Sequence, residues 1–150
     1  MRWFEDFAVG NVSDIGPVTV SEEEIVEFAS RYDPQPFHVD PDAAAKTMYG
    51  GLIASGWHTT ALFMGMFARA VLLESASLGS PGVEEIRWLA PVRPGDVLRG
   101  RSTVVELRPS EKDPRRGTVY TLNEVLNQDD VVVMTLKARG FFARRPVTPT

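Results

Sequence analysis

The chain has 150 residues and no cysteine, and 16 Lys and Arg against 20 Asp and Glu leave it at −4 with histidine neutral. That is the length of one domain, and 43% hydrophobic with 24% charged residues is ordinary globular composition, which excludes a disordered or collagen-like chain. Without cysteine there is no disulfide framework, thiolate metal site or thiol nucleophile, and the acidic balance is a poor match for phosphate backbones, so nucleic acid is not the expected partner.

The opening residues Met1-Arg2-Trp3-Phe4-Glu5-Asp6 carry no apolar stretch of a secretory signal, which leaves the cytoplasm as the expected compartment. The first clear element is a helix. Ser21 with Glu24 three residues later reads as a capping box, and Glu22, Glu23 and Glu24 suit a positive helix N-terminus. Ile25, Phe28 and Ala29 supply the apolar stripe, and Pro34 predicts a stop near Tyr32. From Asp33 to His38, Pro34 and Pro36 predict an extended, stiff loop. Asp40-Pro41 then reads as N-cap and first residue of a short helix through Ala43, Ala44 and Ala45.

Between Lys46 and Arg69 there is no Asp, Glu, Lys or Arg, a stretch long enough to cross a bilayer. His58, Thr59 and Thr60 within it, Gly50-Gly51 at one end and the polar strands that follow point instead to a buried helix over 56–73, with Ser55 as N-cap. Leu62, Phe63, Met66, Phe67, Ala70 and Val71 give that helix a wide apolar face. After Pro81 the sequence alternates with period two: Ile86, Trp88, Ala90 and Val92; then Leu98 and Val104; then Val119 to Leu126; then Val132, Met134, Leu136, Ala138 and Phe142. Turns fall at Pro94-Gly95-Asp96 and Asn127-Gln128-Asp129-Asp130. Alternation in sequential strands predicts an antiparallel sheet with one buried face, and only the long apolar helix can fill it. The expected fold is therefore α+β, a sheet curled around one helix, in a single domain over 1–150 with a frayed tail at 144–150.

Two histidines narrow the chemistry. Asp33 and His38, five residues apart on one short loop, can share a water, the carboxylate taking a proton while the imidazole delivers one. That work asks for shelter that moves both proton affinities toward neutrality. The plainer alternative is that Asp33 turns the chain and His38 is a half-buried structural residue. A metal held by Asp33, His38 and Asp40 has few nitrogen ligands to recommend it. Gly56, at the start of the long helix, offers a backbone N–H and the helix dipole to an oxyanion, or else simply permits close packing. His58 reads as helix surface, Arg69 as a snorkelling or interface residue, and Trp3, Trp57 and Trp88 as core. No Walker loop, GxSxG elbow or GxGxxG is present.

Asp33-Pro34-Gln35-Pro36-Phe37-His38-Val39-Asp40-Pro41 resembles the motif of the MaoC-like dehydratases, which include the (R)-specific enoyl-CoA hydratases: Asp-x-Asn-Pro-x-His followed by x-Asp-Pro. Gly51-Leu52-Ile53-Ala54-Ser55-Gly56 resembles that family's approach to its central helix, and Arg93-Pro94-Gly95-Asp96 its later turn. The ordered set spans the chain from about Ser21 to Phe142. The resemblance implies a hot-dog fold, a homodimer, and reversible addition of water to an α,β-unsaturated acyl-CoA, or an acyl-carrier-protein thioester, with no organic cofactor or metal. Asp33 and His38 are then the implied catalytic pair, with Gly56, edged by Ser55, holding the thioester oxygen. Two departures stand out: Gln35 where the family usually has Asn, and Ser55 where characterised hydratases often carry His. Neither is expected to touch the acid–base pair. Hydrolysis of the thioester is the competing reaction, but such enzymes usually place Asp or Glu on the central helix, and 56–73 has none. A hot-dog domain that binds acyl thioesters without turning them over is the non-enzymatic alternative.

Overall fold

The computed structural model describes residues 1–149. A sheet of five strands wraps one helix: β1 (Val12–Thr19), β2 (Val83–Trp88), β3 (Val97–Pro109), β4 (Arg116–Leu126) and β5 (Val132–Ala143) lie in the order β1-β3-β4-β5-β2. Every neighbouring pair is antiparallel. The α+β architecture is as expected, and period two carries through: along β4, Gly117, Val119, Thr121, Asn123 and Val125 are all buried. β1 was not anticipated; Gly16-Pro17 interrupts its alternation, and a register shift falls between Ile15 and Val18. The alternation of Ala90 and Val92 does not extend the strand, which ends at Trp88.

Helix α1 (Glu22–Tyr32) begins where Ser21 Oγ accepts from the Glu24 N–H at 3.1 Å and ends at Asp33, just before Pro34. The stretch expected to be extended forms one helical turn instead, α2 (Pro36–Val39), because Pro36 sits at the first helical position, where its missing N–H costs nothing. Asp40 Oδ1 accepts from the Asp42 and Ala43 N–H groups and so caps α3 (Pro41–Ala45). The central helix α4 (Gly56–Phe67) starts at its N-cap Ser55 and continues through a π-helical turn, Ala68–Leu72.

The interior is in two parts. One cluster joins Phe63 and Met66 of α4 to Leu98, Val125, Met134 and Leu136. The other joins Val71 to Phe4, Phe7, Val104, Val119 and Phe142, and Phe67 packs against both. Between helix and sheet lies a cavity of about 570 Å³. At the start of the tail, Arg144 Nε and the Arg145 N–H both donate to the Glu5 carboxylate, and Arg145 Nη2 to Asp6. Thr150 lies outside the described residues. Among the described residues no helix is long and apolar enough to cross a membrane.

Candidate active site

Four short pieces of chain meet at the N-terminus of α4. The α1 stop leaves Asp33 as C-cap, its N–H on Ala29 O, with φ −156° and ψ 67°. α2 presents His38, which is 5% exposed. The strand-like lead-in to α4 is held on both sides, by the Ile53 N–H on Phe37 O at 3.1 Å and the Ala54 N–H on Val92 O at 2.8 Å. Ser55 follows, fully buried.

His38 Nδ1 lies 2.7 Å from Ile53 O. A carbonyl oxygen only accepts, so Nδ1 carries a proton and the ring's variable site is Nε2. Nε2 lies 3.3 Å from Asp33 Oδ2. The same Oδ2 accepts from Ser55 Oγ at 2.7 Å, and Oδ1 accepts from Gln35 Nε2 at 2.7 Å. Two groups that both lack a proton repel at that separation, so the Asp33–His38 contact is stable with one proton shared between them, as carboxylate and imidazolium or as the neutral pair.

The surroundings decide where that proton sits. Partial burial pushes the Asp33 carboxyl up, but the hydrogen bonds from Gln35 and Ser55 and the charge of His38 outweigh it, and the group is held below its ordinary value. This reverses the expectation that shelter brings the carboxylate toward neutrality. It also corrects the reading of the two departures: Gln35 and Ser55 both touch the Asp33 carboxylate directly. An amide one methylene longer than Asn reaches back two residues, and the N-cap hydroxyl serves at once as acceptor for the Trp57 N–H at 3.3 Å and donor to Asp33. Nothing in spacing alone signalled that a capping serine would face a carboxylate 22 residues upstream.

Gly56 occupies the first position of α4, where an N–H has no intrahelical acceptor and points toward any negative group placed there. The absence of a side chain is required sterically: a Cβ at Gly56 would lie 2.4 Å from the Trp88 ring. Trp88 Nε1 donates to Thr60 Oγ1, which in turn donates to Gly56 O. Gly56, Thr60, Phe63 and Phe67 share one helical face, and the last three line the cavity between helix and sheet, together with Trp57. Asp33, His38 and Ser55 lie outside the cavity wall, beyond the first turn of the helix.

Other expectations change. Trp57 and Trp88 are 56% and 45% exposed and packed edge to face at 5.1 Å, so neither is core. His58 is not on the surface: it is 5% exposed, stacked on Phe28 at 4.7 Å, with burial depressing its proton affinity. Arg69 is exposed, its guanidinium folded back against Gly65. Among the described residues no three His, Asp or Glu side chains converge as a metal site; Asp40, the third member of the weighed set, is turned away to cap α3.

Comparison with known proteins places the chain in a family and a fold. The MaoC-like domain family matches residues 7–126. The (R)-specific enoyl-CoA hydratase of Rhodospirillum rubrum is 32% identical over 146 residues, spanning 93% of this chain and 95% of that protein. The uncharacterized protein YdeM of Bacillus subtilis is 30% identical over 132 residues, 86% of this chain and 90% of that one. A crystal structure of a MaoC-like dehydratase from Rhodospirillum rubrum superposes with TM-score 0.90 at 39% identity, covering 98% of this chain and all of that one. The sheet-around-a-helix is thus the hot-dog fold.

Proposed function

Since the chain belongs to the MaoC-like dehydratase family, we propose that it adds water reversibly across the double bond of an enoyl thioester, with CoA or an acyl carrier protein as the thiol, through Asp33 and His38. The observation that supports this most is the 3.3 Å contact between His38 Nε2 and Asp33 Oδ2, with Nδ1 anchored on Ile53 O.

In the hydration direction, Asp33 as carboxylate takes a proton from water while the water oxygen bonds to the β-carbon. The double-bond electrons move toward the thioester carbonyl, and the Gly56 N–H with the α4 dipole stabilises the resulting enolate oxygen. The imidazolium of His38 delivers its Nε2 proton to the α-carbon. The cycle leaves Asp33 protonated and His38 neutral, and transfer of one proton from Oδ2 to Nε2 restores the starting pair. Water has been consumed and one hydroxyacyl thioester formed.

We also infer that a second copy of the chain covers the outer side of this end. Trp57, Met64, Trp88 and Leu89 are exposed apolar side chains clustered around α4 and the edge strand β2.

The test follows conjugated-enoyl absorbance with a panel of enoyl-CoA thioesters, alongside free thiol. Loss of absorbance without thiol release, lowered by about 10² to 10⁴ in Asp33→Asn, is the expected result. Thiol release would make the protein a thioesterase. Binding without turnover, unaltered by Asp33→Asn, would make it a binding module.

A further inference from the structure

The cavity wall opposite α4 is not uniformly apolar, and on the hydratase reading its polar part selects among acyl groups. Strand register aligns Ser13 with Ser102, Ser102 with Asn123, and Asn123 with Leu136 in one row across the sheet. All four line the cavity, as does Thr121 on the same face of β4. Around them the wall is Phe63, Phe67 and Ala138.

These polar groups are deeply buried: Asn123 is 1% exposed, Ser102 4% and Thr121 9%. Both protons of Asn123 Nδ2 are committed, one to Thr121 Oγ1 at 2.9 Å and one to Leu136 O at 3.1 Å. Because a backbone carbonyl accepts only, the second bond fixes which end of the amide is nitrogen. Asn123 Oδ1 is then a buried acceptor without a donor. Thr121 Oγ1 receives the Asn123 bond, and its own proton has no acceptor among the described residues. The Ser102 hydroxyl, directly across from Asn123, likewise has no protein partner among them. Native interiors rarely keep such valences unmet. A plain hydrocarbon tail in this cavity would bury all of them unsatisfied.

We propose that Ser102, Thr121 and Asn123 form a specificity seat for a hydroxyl group on the acyl chain, so that the preferred substrates are enoyl or 3-hydroxyacyl thioesters bearing a further, distal hydroxyl. A hydroxyl both donates and accepts, which matches a seat holding a free acceptor and two free hydroxyls. A carboxylate tail has no proton to give Asn123 Oδ1 and would leave that acceptor unmet.

The experiment measures binding of octanoyl-CoA and its monohydroxylated isologues, with the hydroxyl at each carbon from the fourth to the eighth, by isothermal titration calorimetry. Saturated chains cannot be hydrated, so binding is read independently of turnover. At least one isologue is expected to bind about ten-fold tighter than octanoyl-CoA, the worth of one satisfied buried hydrogen bond. Asn123→Leu and Ser102→Ala are expected to bring that ratio close to one, with circular dichroism confirming their fold. If octanoyl-CoA binds as tightly as every isologue, if both folded variants keep the preference, or if nothing binds, the seat does not exist and ordered water meets these groups. The wild-type ratio decides even if a variant fails to fold. Failure of the hydratase reading shows separately, as absent turnover of enoyl-CoA beside an intact binding preference.

Discussion

Replacing Ser55 by alanine tests how the candidate site is held together. The hydroxyl makes two bonds: it donates to Asp33 Oδ2 at 2.7 Å and accepts from the Trp57 N–H at 3.3 Å as the α4 cap. A hydrogen bond to a charged group is worth about 1.5–3 kcal/mol, and a serine cap about 1 kcal/mol. Asp33 keeps Gln35 and His38, and its side chain is 19% exposed, so water can replace part of the loss. The expected net cost at neutral pH is about 2 kcal/mol, which for a chain of this length lowers the melting temperature by about 4–8 °C.

The pH dependence carries the sharper signature. Asp33 is held below its ordinary value, so its stabilisation is complete above the unfolded carboxylate value and is lost as pH falls through the folded one. Removing a donor to the charged form raises the folded value. The stability gap between Ser55→Ala and wild type should therefore narrow in acid, leaving mainly the cap contribution. In kcat/KM the acid limb should move to higher pH. Urea titrations at several pH values and carbon NMR of the Asp33 carboxyl read both effects. If the carboxyl titrates at the same pH in the variant and the urea midpoint does not move, Ser55 does not donate to Asp33 and the electrostatic account of the site is wrong.

Gly56→Ala should cost about 1–3 kcal/mol and alter tryptophan fluorescence, because its Cβ would lie 2.4 Å from the Trp88 ring and the indole must move; unchanged emission and stability would show that the ring is not seated there. His58 titrates below its ordinary value because of burial, so the unfolded chain binds a proton that the folded one refuses. Its contribution is present above the unfolded histidine value, near pH 6.5, and is lost as pH falls below it. His58→Phe should flatten that part of the stability profile, measured as urea midpoints at pH 7.5 and 5.5; an identical slope would sink the assignment. Truncation after Ala143 removes the exposed pairs to Glu5 and Asp6 and should cost about 1 kcal/mol or less by thermal melting.

The elements readable from the sequence were those with a local physical signature: capping at Ser21 and Asp40, the Pro34 stop, and the inward period of β3, β4 and β5. β1 was hidden because Gly16-Pro17 breaks its pattern, and α2 because a proline that usually stiffens a loop also suits a first helical position. At the site, Asp33, His38, Ser55 and Gly56 were legible as residues. Their wiring was not, since a hydroxyl capping its own helix gives no hint that it also donates to a residue in another. Likewise the polarity of His58 suggested surface, whereas stacking against Phe28 makes burial tolerable. Trp57 and Trp88 erred the other way, large apolar rings that the fold leaves exposed beside α4.

The split interior has a mechanical consequence. Two packed clusters joined through Phe67, with about 570 Å³ of open space between helix and sheet, make a body that is softer than a single dense core. Unfolding eliminates whatever part of that space water does not fill, and to that extent hydrostatic pressure favours the unfolded chain. On the proposed function, an acyl chain bound there would fill the gap and remove the volume advantage. Resistance to compression should then rise with the length of the chain inside, giving a gauge of occupancy that needs neither chromophore nor catalysis.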